Sequence, residues 1–531
     1  MNKSSIKKFV EEGNLTIGIE FGSTRIKTVA IDDNCKTLAT GTFEWENTYQ
    51  DGYWTYSMND AWIGLQKSYS EMTKVIKEQY GATVKKIKSL GISGMMHGYL
   101  VFNQQEDLLV SFRTWRNNNA NQAAKILRES FQVNIPERWS IAQLYQSARD
   151  NETHVAKVDY MTTLAGYIHW YLTDEKVLGI GDASGMFPVD VETKDYRKDI
   201  VKKFNQLFSE MGYHQDILEI LPKVVVAGEN AGYLTETGAK LIDPNGQLEA
   251  GCPMCAPEAD AATGMVATNS VAPKTGNISA GTSIFSMIVL DKSLKNIYPE
   301  VDIVTTPDGY EVAMIHANNC TSDINAWVDL FGEVLEVMGV KYEKSELFTK
   351  LFETALNGDD KLGKLLSYGY ISGEFITDVQ QGYPMLVRSI DSSFNLANLM
   401  KTHIYSAFST LKIGIDLLKE NEDIEIHSIY GHGGIFKTKK VAQTFLAAAM
   451  QSPVSVMQTA SEGGAWGIAV LARYLVAKSD VNLSSYLNEI AFKDTESIKI
   501  EPNEKEIESF NRYIERFKKG LPIERLANEQ L

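Results

Sequence analysis

Residues 252–291 read CPMCAPEADAATGMVATNSVAPKTGNISAGTSIFSMIVLD, and they join two pieces of chemistry. The first half sets one carboxylate, Asp260, among Ala259, Ala261, Ala262, Thr263 and Gly264, where a backbone can approach a ligand closely. The second half predicts a strand ending at Asn277–Ser279, a tight turn at Gly281-Thr282-Ser283 and a returning apolar strand from Ile284 to Leu290. Such a turn offers backbone N–H groups and hydroxyls to an anion.

The same pattern stands near the start of the chain. Leu15–Glu20 is followed by Gly22-Ser23-Thr24, then Ile26–Ile31 and Asp32. Gly22 precedes Asp32 by ten positions and Gly281 precedes Asp291 by ten, and the two glycines stand 259 residues apart. One such hairpin is usually only structural. Two in matching register predict an internal duplication.

A chain of 531 residues is too long for one ordinary domain and predicts two or three. The net charge of −16, with no cluster of Lys and Arg, argues against nucleic acid as a partner. The apolar run Ala465–Ala477 is short and carries Arg473, so no membrane span is expected. The opening MNKSSIKKFVEEGNLT has no continuous apolar core and reads as a short helix, not a signal peptide. Four cysteines fit a reducing cytoplasm. Cys252 and Cys255 form a CxxC without histidine or cysteine company, which disfavours a metal or redox centre.

Between the two hairpins come a third strand (Thr37–Trp45), an aromatic loop with Tyr49, Tyr53, Trp54 and Tyr56, a helix over about 59–79 and a buried strand at Ile87–Ser93. That strand ends in Gly94-Met95-Met96-His97-Gly98, at the carboxyl edge where α/β sheets hold ligands. A loop at Ser111–Asn119 offers Trp115 for stacking and Arg116, Asn117 and Asn118 for hydrogen bonding, as a polyhydroxylated ligand requires, or forms a solvated loop. Residues 120–220 read as helices inserted over the sheet. In the second half, helices at Ser322–Met338 and Leu396–Lys419 precede a strand at Ile424–Tyr430, and Gly431-His432-Gly433-Gly434 then turns into a helix from Lys440. A glycine-rich strand-to-helix turn lets a base or ribose lie on bare backbone. A short strand at Val454–Gln458 and a helix opened by Ser461-Glu462-Gly463-Gly464-Ala465 follow, and the charged tail after Asp494 reads as an exposed helix.

In this order, IGIEFGSTRIKTVAID, SGMMHG, NISAGTS, GHGGIFKTKKVAQTFLAAAM and EGGAWGIAVLA resemble the FGGY family of carbohydrate kinases. The resemblance spans Thr16–Ala477, with SGMMHG most similar to xylulokinases and the EFGS start and chain length closer to ribulokinases. It implies an α/β fold of two duplicated actin/hexokinase-like (ribonuclease H-like) domains with a ligand cleft between them. The expected division is an extension at 1–14, a sugar-binding domain at 15–270, an adenosine-binding domain at 271–490 and a tail at 491–531. By similarity, Asp260 is the general base and Met96, His97, Trp115 and Arg116 line the sugar site with it. ATP is expected on Gly22, Ser23, Thr24, Lys27, Gly281, Thr282, Ser283, Gly433, Gly434 and Gln443. Mg²⁺ is implied by the nucleotide, with Glu20 holding it through water where the family usually has Asp. Asn117 stands where many relatives carry an acid. The implied substrate is a ketopentose such as L-ribulose or D-xylulose, with a 6-deoxyketohexose such as L-rhamnulose as an alternative. An ATP-dependent regulator and a catalytically silent sugar sensor are readings from other classes, and a homodimer stays open.

Overall fold

The computed structural model describes residues 2–457, 463–477 and 481–531. Gln458, Ser461 and Glu462, expected to close a strand and open a helix, lie outside the described residues. The chain forms two compact units, one built from 1–272, 303–312 and 462–494 and the other from 273–302, 313–461 and 495–531.

The sheet of the first unit contains β1 (Thr16–Phe21), β2 (Arg25–Ile31), β3 (Thr37–Glu44), β4 (Ser89–Gly94), β5 (Asn230–Tyr233) and β6 (Pro253–Cys255) in the order β5-β6-β4-β1-β2-β3. The two-residue β7 (Glu258–Ala259) also pairs with β4. β1 is parallel to β4 and antiparallel to β2. Both faces are covered, so Ile17, Ile19 and Phe21 of β1 are all fully buried although they alternate with Thr16, which is buried too. The helix Met58–Tyr80 packs against β3, with Ser57 capping its start and Gly81 in the left-handed region ending it. The helix Gly463–Val476 packs against β1 and β4 and lies within the first compact unit.

In the second unit, β8 (Thr275–Ala280), β9 (Ile284–Val289), β10 (Glu311–Ala317), β11 (Ser428–His432), β12 (Val454–Met457) and β13 (Ser497–Ile500) run in the order β10-β9-β8-β11-β12-β13. β8 is antiparallel to β9 and parallel to β11, just as β1 stands to β2 and β4. The central order β4-β1-β2-β3 of the first sheet therefore recurs as β11-β8-β9-β10 in the second, while the two outer strands beyond it come in opposite chain order, β6 then β5 in the first and β12 then β13 in the second. Register does not recur. Phe21 pairs with Ile26 across four turn residues, whereas Ala280 pairs with Ile284 across three. The equal spacing of the two glycine turns in sequence thus closes into two hairpins that differ by one residue.

The tail also differs from its reading as an exposed helix. Glu504–Gln530 is helical, but it buries Phe510, Tyr513, Ile514, Phe517 and Leu521 along one face. Tyr513 donates to Ser367 O at 3.1 Å, and Tyr368 donates to Phe517 O at 2.7 Å. Apart from the buried Glu524, the charges of the tail lie away from this face, which masks the apolar stripe in a composition-based reading.

Candidate active site

Three neighbouring strand ends of the first unit carry the candidate chemistry. β1 delivers Glu20 beside the Gly22–Thr24 turn, β4 runs into Met95-Met96-His97, and β7 runs into Asp260 at the start of the helix Asp260–Ala267. Met95 N–H donates to Phe21 O at 3.0 Å and Ala259 lies opposite Gly94, so the three ends are locked to one another.

Asp260 Oδ1 accepts from Met96 N–H at 3.0 Å and from Ala261 N–H at 2.8 Å. Burial pushes the carboxyl up to about 6, against those two hydrogen bonds, which favour the ionised form. Glu20 Oε2 accepts from Ala465 N–H at 3.0 Å, in the first turn of the helix Gly463–Val476. Its pKa is raised to about 7, first by burial and then by the charge of Asp260, while Ala465 N–H, Lys27 and Arg25 oppose the rise. Lys27 sits directly opposite Glu20 in the β1–β2 register. Gly464 is what lets Glu20 approach the helix: a Cβ there would lie 2.4 Å from Glu20 Oε1 and 2.7 Å from Thr263 Oγ1.

His97 adopts φ 67° and is buried. Its Nδ1 lies 3.0 Å from Gly185 O, a carbonyl that can only accept, so Nδ1 carries the proton and Nε2 is left as an acceptor. Burial lowers its pKa to about 3, which keeps the ring neutral. Met96 is buried beside it.

The Gly22–Thr24 turn is held from behind. Trp45 Nε1 donates to Gly22 O at 2.7 Å and Tyr56 OH donates to Ser23 O at 2.7 Å, while Thr24 is exposed. Trp45 and Tyr56, 4.4 Å apart between ring centroids, are supports that the sequence reading placed only at a strand end and in an aromatic loop. Trp115 is 41 % exposed, and Arg116 is engaged by Asn47 Oδ1 at 3.0 Å and by the Trp54 ring at 4.1 Å. Asn117 is not a free ligand group. Its amide is buried and exchanges hydrogen bonds with the backbone of Trp54 at 2.8 and 2.9 Å and donates to Thr114 O at 3.0 Å. The residue pins the loop, so its difference from an acid bears on loop shape and not on direct contact.

In the second unit the Gly281–Ser283 turn and Gly433-Gly434 follow adjacent parallel strands, with Ser279 opposite His432. Gly281 O accepts from Thr321 N–H at 3.1 Å and Thr321 Oγ1 at 2.7 Å, which leaves Thr282 exposed at the tip. Gly433 has φ 104° and a Cβ would stand 2.3 Å from Ala280 O, so only glycine lets the two strand ends come this close. Gly434 faces open space. Gln443 is a correction to the nucleotide set: it is buried in the helix Val441–Met450 and donates to Ile498 O at 2.8 Å and Val454 O at 3.4 Å, tying the helix to the sheet. The Cys252 thiol is buried and pushed up to about 12, the wrong direction for a nucleophile or ligand.

Two duplicated sheets, each with a glycine turn at the end of its central strand, and a carboxylate gathered at the strand ends of one of them define a phosphotransferase of the sugar-kinase type. The pattern described as the N-terminal domain of the FGGY family of carbohydrate kinases matches residues 15–266, and that of the C-terminal domain matches 276–476. The chain belongs to the FGGY family of carbohydrate kinases, and with it goes the use of ATP. It is similar to a xylulose kinase of Haemophilus influenzae, 22% identical over 522 residues and covering 94% of this chain and 98% of that protein. Its fold is that of a xylulose kinase from Rhodospirillum rubrum (TM-score 0.77, 14% identity, 97% and 100% of the two chains) and of a gluconate kinase from Lactobacillus acidophilus (TM-score 0.76, 15% identity, 97% and 98%). Among the described residues, no helix is long and apolar enough to cross a membrane.

Proposed function

We propose that the chain transfers the γ-phosphoryl group of ATP to a hydroxyl of a ketopentose, xylulose before ribulose. The observation that carries this reading is Asp260, a raised carboxyl held by the Met96 amide at the meeting of three strand ends. The ionised Asp260 takes the proton of the sugar hydroxyl as that oxygen forms a bond to the γ-phosphorus, the bond from phosphorus to the bridging oxygen breaks, and ADP leaves. His97 Nε2 is an acceptor suited to a neighbouring sugar hydroxyl, and exposed Trp115 offers a ring face. By family resemblance, the Gly22–Thr24 turn of the first unit and the Gly281–Ser283 turn of the second each offer N–H groups and hydroxyls to phosphate, and Gly433-Gly434 of the second unit offers bare backbone to adenosine. Because such a transition state needs little covalent help, most of the acceleration comes from positioning and charge.

A magnesium ion fits the residues present. No group of three or more His, Cys, Asp or Glu is poised as a cage among the described residues. Glu20, however, carries a charge that burial and Asp260 both disfavour, and a divalent cation held mainly by water and phosphate would relieve it. Bound there, the ion would neutralise charge on the transferring group.

The preference for xylulose rests on the relatives, whereas a pocket distinguishes sugars that differ by one carbon only weakly. The deciding experiment is ADP release at saturating Mg-ATP across D-xylulose, L-xylulose, D-ribulose, L-ribulose, L-rhamnulose, L-fuculose, D-gluconate and glycerol. A strong rate with a ketopentose alone is expected. A rate confined to gluconate or glycerol would replace the substrate, and ATP binding with silence across the panel would leave a sensor.

A further inference from the structure

Behind Asp260 lies a second carboxylate that the phosphoryl transfer does not use. Glu258, two residues earlier on β7, is 1 % exposed. Its Oε1 accepts from Gly181 N–H at 3.3 Å and its Oε2 from Asp182 N–H at 3.0 Å, so both oxygens are spent on the short helical turn Ile180–Ala183. The fit is tight: a Cβ on Gly181 would lie 2.5 Å from Glu258 Oε2. The far side of this turn is fastened as well, because Thr305 Oγ1 donates to Ile180 O at 3.0 Å and Thr305 N–H to Ser184 Oγ at 3.1 Å. Two residues on, Gly185 O receives the His97 Nδ1 proton, and the residue before His97 supplies the amide that holds Asp260.

These contacts close a ring. It runs from Asp260 through β7 to Glu258, across to the Ile180–Gly185 turn, through Gly185 to His97, and through Met96 N–H back to Asp260. We infer that Glu258 is a positioning residue for the transfer: by holding the Ile180–Gly185 turn against β7, it fixes the Met96 amide on the base and the His97 ring beside it. A buried acid costs stability unless it is well paired, so an acid at this point, where its two bonds set the geometry of a base that it does not touch, has a role beyond filling space. The inference deepens the kinase reading and rests on it for the identity of the base.

The test replaces Glu258 with Gln, which keeps the volume but presents an NH₂ group to one of the two N–H donors. Gly181→Ala disturbs the same contact from the opposite side. With Mg-ATP and D-xylulose, both variants should lose roughly 10–100-fold in kcat, the size of effect that ångström-scale misplacement of a reacting group produces, with KM for ATP unchanged and any rise in KM confined to the sugar that His97 meets. The acid limb of kcat should move to higher pH, because the Met96 hydrogen bond that favours ionised Asp260 is weakened. The titratable groups facing Asp260 from its neighbours are Glu20, Asp182 and the Tyr56 hydroxyl, and because Glu258 acts on Asp182 the acid limb is read first in Gly181→Ala, which keeps the Glu258 side chain. Amide hydrogen exchange supplies a readout without turnover: protection should fall in the segment containing Met96 and stay at wild-type level in the helix Met58–Tyr80. Wild-type kcat, acid limb and Met96 protection in both variants would overturn the proposal, as would protection lost evenly through the unit with the acid limb unmoved. Silence of the wild-type enzyme on every sugar, with the exchange signature intact, would instead remove the kinase reading and leave the positioning contact standing.

Discussion

Asp260 must be ionised to accept a proton, and its carboxyl, raised by burial to about 6, is only partly ionised in mildly acidic solution. Turnover should therefore climb as pH rises through about 6 and level above it, a limb to be read from kcat against pH at saturating sugar and Mg-ATP. Asp260→Asn keeps the shape and removes the base, so kcat should fall by roughly 10²–10⁴-fold while ATP affinity, measured by calorimetry, holds. Retained turnover would take the base assignment away from this residue. Asp260 was legible because it stands alone among small residues in a recognisable stretch. The partner of Glu20 was not: Ala465 is 445 residues further along the chain, and only the packing of the helix Gly463–Val476 onto β1 brings its N–H to the carboxylate.

At the scale of elements, the Ile180–Ala183 turn carries a second buried acid. Asp182 accepts from Thr163 Oγ1 at 2.6 Å through Oδ2, its Oδ1 has no hydrogen-bond partner, and burial raises its pKa to about 8. The folded form holds a proton that the unfolded chain releases near the ordinary value of 3.8, so the contribution of this group to stability is complete below about 4 and is lost as pH rises to about 8. Asp182→Asn does not titrate. Its melting temperature relative to wild type should rise from pH 4 to pH 8 and then stay level, and a constant difference would mean that Asp182 is ionised in the fold. The glycine turn after β11 makes a contrasting prediction. Gly433→Ala meets both a positive φ and the Ala280 carbonyl and should cost about 1–3 kcal/mol in denaturant unfolding. Gly434→Leu enters open space and should leave stability alone while raising KM for ATP more than KM for sugar. The reverse ordering of the two KM effects would move the adenosine site elsewhere.

For the whole molecule, the terminal helix is part of the second unit's core. Five side chains buried by Glu504–Gln530 are each worth roughly 1.5–3 kcal/mol, against ~5–15 kcal/mol for an entire domain. A chain ending at Asn503 should therefore fail to fold its second unit, visible as protease sensitivity within 313–457. A soluble truncated chain with wild-type melting would refute this. The sequence by itself determined the duplicated α/β architecture, the two glycine turns and the lone carboxylate Asp260, because strand–turn–strand patterns and small-residue stretches are local and survive in linear order. It also pointed to Gly433, whose need for a positive φ is written into the residue type. Tertiary structure alone decided that Asn117 and Gln443 are spent on backbone, that the charged tail is a core element, that the two hairpins differ by one residue in register, and that Glu258 and Asp182 meet behind the base. Apart from the hairpin register, which the turn closes locally, those depend on which groups burial brings within about 3 Å of one another, a distance that no spacing along the chain encodes.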